Sequence, residues 1–453
     1  MKKTVKSLQL EHLKNGVYHC TLNPGTKDSI RIHLIPPKFR LLKNQSYIVI
    51  VNGYYLIPIG SSWAAILACY IEEMNASEGR PITDEIINSV VEKICKIYTY
   101  VDKNTVAEHL DLILSVISDI AFGNEPEIDI EKTSIREYSA NMSAPHRMDL
   151  MVSAMTDRCG SWKCNQKCIF CYAAGQKLSS SEELSTEQWK MVIDKLAKAN
   201  VPMLTFTGGE PTLRSDLVQL IAYSKKFITR LNTNGVNLTK DLVNNLTKAE
   251  LDSVQITLYS SDEKIHNELV GANNYKATVQ GIINSVEAGL NISVNTPLCK
   301  LNSDYTKTLE FIHSLGVNFV TVSGIICTGV AKDNHQKYDL DENELFKIIK
   351  NSKLFCDEHG IEIDFTSPGL IRADLLESID MNVPICGAAL SNMAITPDGN
   401  VVPCQSWLSQ DGALGNILKV DFSKIWNHKI CKKLRRMSDS DAIICPFRKR
   451  GGK

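Results

Sequence analysis

Three cysteines in one short segment have the clearest capacity for metal chemistry. Cys164, Cys168 and Cys171 form a C-x3-C-x2-C pattern directly after an apolar segment typical of a β-strand. Three thiolates in one loop can hold three irons of a cubane [4Fe–4S] cluster and leave the fourth iron without a protein ligand. Zinc is the alternative, although structural zinc sites usually complete four ligands with a second cysteine pair or a histidine pair. Cys159 is the only spare thiol nearby, which favours the cluster.

A glycine-rich acidic motif follows one predicted strand later. That strand ends in Gly208, Gly209, Glu210 and Pro211. Two glycines allow a ligand to approach the backbone closely, and a glutamate offers a carboxylate to an ammonium group. An isolated copy of this motif would more often be a turn that contains an acidic residue. Its position one strand–helix unit after the cysteine triplet favours a binding site.

Together, the cysteine triplet and the glycine–glutamate motif resemble the radical S-adenosylmethionine (SAM) superfamily. The resemblance implies that the triplet binds a [4Fe–4S] cluster and that Gly208–Pro211 binds the amino group of SAM. It also implies that SAM is cleaved to a 5′-deoxyadenosyl radical, which abstracts a hydrogen atom from the substrate. Further SAM contacts are implied for an aromatic residue inside the triplet and for residues at later strand ends: Phe170, Asn232, Asn234, Thr257, Ser260 and Ser323. Each strand-end residue could alternatively be an ordinary polar cap, and the pattern identifies no catalytic base.

The C-terminal cysteines form a second candidate metal centre. Cys386 and the run Gly399–Cys404 resemble the start of the SPASM/Twitch extension, which holds auxiliary [4Fe–4S] clusters. A full SPASM domain continues with more cysteines than this chain offers, since only Cys431 and Cys445 follow. The simplest hypothesis is one auxiliary cluster held by Cys386, Cys404 and Cys445, with Cys431 as the weakest member. Zinc is the alternative for the group, and a helix-face thiol is the alternative for Cys431.

Repeated strand–helix units must position these motifs. In the central region, β-rich runs alternate with helical stretches, which predicts a parallel sheet with crossover helices. We expect an α/β fold with a partial (β/α)6 barrel, in which sites lie at the C-terminal ends of the strands. The predicted boundaries are 1–125 for a winged-helix-like module, 126–147 for a linker, 148–372 for the barrel and 373–453 for a small iron–sulfur extension.

The N-terminal module is predicted from one hairpin and three helices. Residues 48–59 favour two strands joined by a type I′ turn at Asn52-Gly53. This module resembles the peptide-recognition element of ribosomal-peptide maturases, which implies a leader peptide bound at a sheet edge. A structural cap on the barrel is the alternative. Ser61 or Ser62 is expected to cap the first helix, and two further helices are expected around 83–98 and 104–121.

Composition argues against several other classes of protein. Fifty lysines and arginines nearly balance 51 aspartates and glutamates, so no strong field favours nucleic acid or an anionic membrane. The apolar stretch 48–71 is broken by Asn52-Gly53, Pro58 and Gly60, and the N-terminus lacks the apolar region of a secretion signal. We therefore expect a cytoplasmic protein without a membrane segment, in which clustered cysteines bind metal rather than form disulfides.

These patterns predict a radical SAM oxidoreductase that modifies a ribosomally made peptide, for example by a thioether or carbon–carbon crosslink. The expected cofactors are SAM, the SAM-binding [4Fe–4S] cluster and one auxiliary [4Fe–4S] cluster. The expected partners are a peptide substrate with its leader and an electron donor such as flavodoxin or ferredoxin. Two alternatives stay open. One is synthesis of a tetrapyrrole or another small-molecule cofactor, and the other is a non-catalytic peptide-binding protein with a structural cluster.

Overall fold

The structure is a computed structural model, and its contacts divide the chain into two compact units. The first contains Met1–Arg147, Ile193–Met203 and Lys226–Ile228, and the second contains the remaining residues. The basic segments at both ends of the sequence, and most of 131–141 in the predicted linker, lie outside the described residues. The described residues are 18–23, 26, 28–37, 46–53, 55–77, 82–130, 133, 137–138, 142–157, 159–437 and 444–445.

The first unit combines an antiparallel sheet with three helices. The strands follow the order β1-β2-β3-β4, and buried side chains of the sheet and the helices form one apolar cluster. Burial of this surface is the main stabilising contribution to such a unit. The elements are β1 Tyr18–Leu22, β2 Ile30–Ile35, β3 Tyr47–Val51, β4 Tyr55–Ile59, α1 Ser61–Ala76, α2 Asp84–Ile97 and α3 Lys103–Ala121.

The predicted hairpin is confirmed, with a difference in its turn. Strands β3 and β4 pair antiparallel with Val51 opposite Tyr55. Asn52 and Gly53 both have positive φ, which is the conformation that the Asn-Gly pair favours. The register makes the connection longer than the predicted two-residue turn. Strands β1 and β2 extend the hairpin to four strands and were not predicted.

The prediction that Ser61 or Ser62 caps the first helix is wrong. The chain leaves β4 in an extended conformation at Gly60, with φ −73° and ψ 162°, and becomes helical at Ser61. Gly60 is therefore the N-cap, and no side chain caps this end. The next two helices do have side-chain caps, from Thr83 and Asp102.

A ten-stranded sheet carries the predicted sites. Its order is β11-β10-β9-β8-β7-β6-β5-β12-β13-β14. Strands β7 to β11 pair in parallel, whereas β12, β13 and β14 pair antiparallel. The strands are β5 Arg147–Ser153, β6 Met203–Gly208, β7 Ile228–Thr233, β8 Ser253–Thr257, β9 Asn291–Pro297, β10 Phe319–Ser323, β11 Glu362–Phe365, β12 Asn392–Ile395, β13 Asn400–Val402 and β14 Gly415–Asn416.

Helices alternate with the parallel strands, which confirms the predicted α/β class with a parallel sheet. Two of these helices, α7 and α10, were not predicted because they are short and mostly polar. Among the described helices, not one combines the length and the apolar character that a membrane span requires. The helices are α4 Thr186–Lys198, α5 Leu217–Tyr223, α6 Lys240–Lys248, α7 Glu263–Val270, α8 Tyr275–Glu287, α9 Tyr305–Ser314, α10 Ala331–Tyr338, α11 Glu342–His359, α12 Ala373–Glu377, α13 Phe422–Trp426 and α14 Lys429–Arg435.

The parallel strands have one apolar face and one polar face. Leu231, Val254 and Val294 alternate with polar neighbours and are fully or almost fully buried. Successive strand residues point to opposite faces, so the polar residues share the other face. This face includes positions at the C-terminal strand ends, where the sequence predicts the site.

Substitution of Gly281 tests how tightly α8 packs against the end of β7. A β-carbon at this position would lie 2.2 Å from the carbonyl oxygen of Gly235. Alanine is a better helix former than glycine by about 1 kcal/mol, so helix propensity alone predicts that Gly281→Ala stabilises the protein. Because the backbone contact leaves no space, we instead predict a loss of about 1–3 kcal/mol in the free energy of unfolding. Urea unfolding measures this difference.

Lys276→Ala is the control, since Lys276 is an exposed residue of the same helix. Its free energy of unfolding should change by no more than about 0.5 kcal/mol. A Gly281→Ala protein that is as stable as the wild type, or more stable, would contradict the packing described for α8.

Candidate functional site

The cysteine triplet forms a compact group in the loop after β5. The pKa of the Cys164 thiol is raised to about 12, mainly by burial. Burial also raises the pKa of Cys168 well above its usual value, and the nearby thiolates of Cys171 and Cys164 raise it further. Three mutually interacting thiols in a poorly solvated loop are unfavourable as free thiolates. Metal coordination stabilises thiolates, so these residues fit an iron–sulfur cluster.

Glu210 lies beside the triplet and is almost completely buried, with 2% of its surface exposed. One carboxylate oxygen accepts hydrogen bonds from the Thr212 amide at 3.0 Å, the Thr212 hydroxyl at 2.6 Å and the Thr233 hydroxyl at 2.6 Å. The other accepts one from the Asn234 amide at 2.9 Å. Burial raises the pKa of Glu210, while these bonds oppose the rise.

Acidic groups dominate the electrostatics of this site. Within the described part of the chain, no lysine or arginine pairs with Glu210. The carboxylate also raises the pKa of Cys164, so the two groups feel each other's charge. Burying an unpaired charge is costly. The arrangement therefore suits a ligand that brings an ammonium group to Glu210 and a metal to the thiols.

The two glycines of the motif allow β6 to end close to β5. Gly208 has a φ of 146°, and a β-carbon there would lie 2.4 Å from the Ser153 carbonyl oxygen. The Gly209 amide donates to the same oxygen at 2.9 Å. Pro211 is buried and begins a single 3-10 turn, which Glu210 caps through the Thr212 amide. The structure thus assigns the glycines a packing role in addition to the ligand approach that the sequence predicts.

The strand-end residues Asn232 and Asn234 lie near the triplet loop. The Asn234 side-chain amide donates to Asn165 Oδ1 at 2.6 Å, which ties the end of β7 to the triplet. The other amide atom of Asn165 and the Oδ1 atom of Asn232 are buried and have no hydrogen-bond partner within the described structure. A bound polar group could supply the partners that these two buried atoms lack. Asn165 was not predicted as a site residue, although it follows Cys164 directly.

The predicted aromatic residue lies in a buried apolar cluster. Phe170 is buried and contacts Tyr338 edge to face, with ring centroids 5.4 Å apart. Tyr259 packs in the same cluster. Burial raises the pKa of Tyr259 well above its usual value, and Cys168 and Cys171 contribute. Tyr259 therefore lies beside the triplet, and its place at the end of β8 was the only sequence signal for it.

The remaining predicted SAM contacts are placed at the ends of β8 and β10. The Ser260 hydroxyl accepts a hydrogen bond from the Asp262 amide at 3.1 Å and so begins the turn into α7. Thr257 and Ser323 are half-buried. Among the described residues no hydrogen bond joins either side chain to the triplet.

Below these strand ends, the polar face of the sheet carries a connected side-chain network. Gln255 donates to the Thr321 hydroxyl at 3.2 Å, and Thr321 donates to Asn295 Oδ1 at 2.9 Å. Asp364 is the register partner of Thr321 on β11. Burial is the main cause that raises the pKa of Asp364. This wall offers hydrogen bonds and one carboxyl group to a polar substrate.

Three of the four C-terminal cysteines converge. Burial raises the pKa of the Cys404 thiol to about 12, and the nearby thiolates of Cys386 and Cys445 raise it further. Cys431 has different neighbours. It is fully buried in α14, its sulfur lies 3.6 Å from the Ile425 carbonyl oxygen, and Arg435 is the charged group that acts on it most.

Tyr172 lies between the two cysteine groups. Burial raises its pKa, and both Cys171 and Cys404 add to the rise. Its hydroxyl donates to Gln405 Oε1 at 3.3 Å, next to Cys404. One side chain therefore connects the triplet loop to the C-terminal cysteines.

Family models match both cysteine regions. The model described as "Radical SAM superfamily" matches residues 163–312. The SPASM model, described as "Iron-sulfur cluster-binding domain", matches residues 386–446. The first includes the triplet and the Glu210 motif, and the second includes the four C-terminal cysteines.

Individual proteins resemble the chain over different lengths. A probable GTP 3′,8-cyclase of Sulfurisphaera tokodaii is 28% identical over 57% of this chain and 83% of its own. The AdoMet-dependent heme synthase of Methanosarcina barkeri is 25% identical over 63% of this chain and 86% of its own. The crystal structure of Streptococcus suis SuiB bound to precursor peptide SuiA is 14% identical, with a TM-score of 0.60 over 92% of this chain and 91% of SuiB. SuiB thus shares the fold of nearly the whole chain.

The C-terminal cysteines supply a matched pair of variants. We predict that Cys404→Ala removes one of two clusters, so that iron falls from about eight to about four atoms per chain. Cys431→Ala should leave the iron content unchanged because the Cys431 sulfur faces Ile425 and Arg435. Iron and sulfide analysis of anaerobically reconstituted protein measures the difference. Equal losses in both variants would contradict the assignment, and circular dichroism checks that both are folded.

Proposed function

We propose that this chain, a radical SAM enzyme that carries a SPASM domain, modifies a ribosomally made precursor peptide. The expected product contains a thioether or carbon–carbon crosslink. The observation that carries the proposal is the fold likeness to SuiB, which extends over 92% of this chain. SuiB was solved with its precursor peptide. A likeness of that extent must include most of the N-terminal sheet and helices as well as the barrel.

The N-terminal unit supports a peptide partner through the two edge strands of its sheet. In the order β1-β2-β3-β4, strands β1 and β4 each have one neighbour in the sheet. An edge strand presents unpaired amide and carbonyl groups, which an extended peptide can pair with as an additional strand. Backbone pairing depends more on the extended conformation of a peptide than on its side chains. It therefore suits a leader segment that precedes the residues to be modified.

In the barrel, we propose that Cys164, Cys168 and Cys171 hold the SAM-binding [4Fe–4S] cluster. When bound, this cluster and SAM supply a 5′-deoxyadenosyl radical that abstracts a hydrogen atom from the substrate. Glu210 receives the amino group of SAM, because it is a buried carboxylate that accepts four hydrogen bonds and has no cationic partner among the described residues. The Gly208–Pro211 turn holds that carboxylate in place.

The other proposed SAM contacts follow the shape of the site. Phe170 provides an apolar surface for the adenine ring. Asn232 and Asn234 offer amide groups at the end of β7, where buried polar atoms lack partners. Three hydroxyl residues complete the contacts at later strand ends: Thr257, Ser260 and Ser323.

For the C-terminal domain, we propose one auxiliary [4Fe–4S] cluster held by Cys386, Cys404 and Cys445. This set leaves a position for a fourth ligand, which the substrate could occupy, and Cys431 stays the weakest candidate. Formation of a crosslink removes two hydrogen atoms from the peptide, so one electron must leave after the first abstraction. A cluster held by Cys386, Cys404 and Cys445 would supply a one-electron acceptor for this step, and Tyr172 lies between the two cysteine groups. An external donor such as flavodoxin or ferredoxin supplies the electron that cleaves SAM.

A second candidate function is synthesis of a tetrapyrrole or another small-molecule cofactor. The observation that favours it is the sequence similarity to the heme synthase of Methanosarcina barkeri, at 25% identity over 304 residues. That similarity covers 63% of this chain, whereas the likeness to SuiB covers 92%. The larger coverage favours the peptide.

The proposal predicts that anaerobically reconstituted, dithionite-reduced protein releases 5′-deoxyadenosine from SAM. Changing Cys164, Cys168 and Cys171 together to alanine should abolish the release, because no thiolate is left to hold the cluster. Chromatography of the nucleoside products measures this. A wild-type protein that holds its iron yet releases no 5′-deoxyadenosine would contradict the catalytic function and favour a peptide-binding protein.

The same reaction with added substrate separates the two candidate functions. A short precursor peptide encoded beside this gene should lose the mass of two hydrogen atoms for each crosslink, as measured by mass spectrometry. The triple-alanine protein is the control and should leave the peptide unchanged. If the peptide is unchanged with wild-type protein and an iron porphyrin changes in mass, the second candidate is correct.

A further inference from the structure

A third group of metal-ligand side chains lies outside both cysteine sites. Cys327 follows β10, His335 lies in α10 and Asp339 ends that helix. Their thiol, imidazole and carboxylate ligand atoms all lie within 4.8 Å of one another. Each residue is half-buried, which partly removes water as a competing ligand. No family-model match includes these residues, since the matches cover 163–312 and 386–446.

The helix holds two of the three ligands in position. His335 and Asp339 are four residues apart, which places them on one face of a helix. His335 Nδ1 and Asp339 Oδ2 are in direct contact. The Asp339 amide also donates to the His335 carbonyl oxygen at 2.7 Å, so the backbone fixes the helix end. An ion bound by both side chains would take the place of this direct contact.

Apolar packing alone does not account for the position of this helix. Ala331 is its only buried residue. Its fixed contacts are to the triplet loop, where Asn334 donates to the Ile169 carbonyl oxygen at 3.0 Å and Tyr338 contacts Phe170. An ion shared with Cys327 would join the helix to the loop after β10. It would thereby also secure the surface that supports the triplet.

We propose that Cys327, His335 and Asp339 bind one zinc ion and leave its fourth position open to water or a substrate group. A thiolate, an imidazole and a carboxylate together form a ligand set that suits zinc. Magnesium and calcium prefer all-oxygen sites, and iron–sulfur clusters are held mainly by thiolates. On binding, the Cys327 thiol releases its proton to solvent and its sulfur forms the bond to zinc. The site does not depend on which substrate the barrel takes.

Zinc analysis and zinc X-ray absorption of the holoprotein test this proposal. The protein is purified anaerobically without a histidine tag, with its iron content verified. We expect about one zinc per chain, with one sulfur neighbour at about 2.3 Å and the remaining nitrogen and oxygen neighbours at about 2.0–2.2 Å. Because the absorption edge belongs to zinc alone, the iron clusters do not interfere. Zinc with three or four sulfur neighbours would lie in a cysteine site and would overturn the proposal.

Matched variants locate the ion. Cys327→Ser and His335→Ala should each lose zinc while iron and far-ultraviolet circular dichroism stay unchanged. Cys356→Ala and His359→Ala, which alter a thiol and an imidazole of α11, should keep it. Retention of zinc in Cys327→Ser and His335→Ala would overturn the proposal. So would a wild-type protein that holds iron but takes up no zinc during equilibrium dialysis against zinc chloride.

Discussion

The candidate site is governed by acidic groups held away from water. Three thiols and the Glu210 carboxylate lie together, and burial raises the pKa of each. Four hydrogen bonds fix the carboxylate, but they do not cancel its charge. A folded protein tolerates such an arrangement when a metal and a cationic ligand complete it. The proposed radical SAM chemistry would meet this requirement, because the amino group of SAM would donate hydrogen bonds to Glu210 beside a cluster that the thiolates would hold.

Several features of the fold depend on this constraint. Because Gly208 has no side chain, β6 can end directly against Ser153. This contact helps to fix the position of Glu210, two residues later. Thr233 and Asn234, at the end of β7, supply two of the four donors. Neighbouring strands thus build one carboxylate pocket at their shared edge. Tyr172 then connects this edge to Cys404, so the SPASM cysteines lie within the same compact unit as the triplet.

Sequence alone could predict features that depend on local pattern. The triplet, the Gly208–Pro211 motif and the alternation of strands and helices were predicted because short motifs and hydrophobic periodicity reveal them. The resemblance to the SPASM extension also singled out Cys386, Cys404 and Cys445, but only the structure places their thiols together and Cys431 apart from them. The polar helix α10 was not predicted because it lacks an apolar face. For the same reason its contact with the triplet loop, and the grouping of Cys327 with His335, needed the structure.

The claim that Glu210 receives the amino group of cluster-bound SAM is tested most directly by electron–nuclear double resonance. The sample is reduced protein with SAM labelled with ¹⁵N at the amino group, compared with Glu210→Gln. The account predicts a ¹⁵N coupling to the cluster in the wild type. In Glu210→Gln that coupling should be lost although the signal of the reduced cluster stays, because the amide carries no charge. An equal coupling in both proteins, or none in a wild-type protein with its full iron content, would contradict the account.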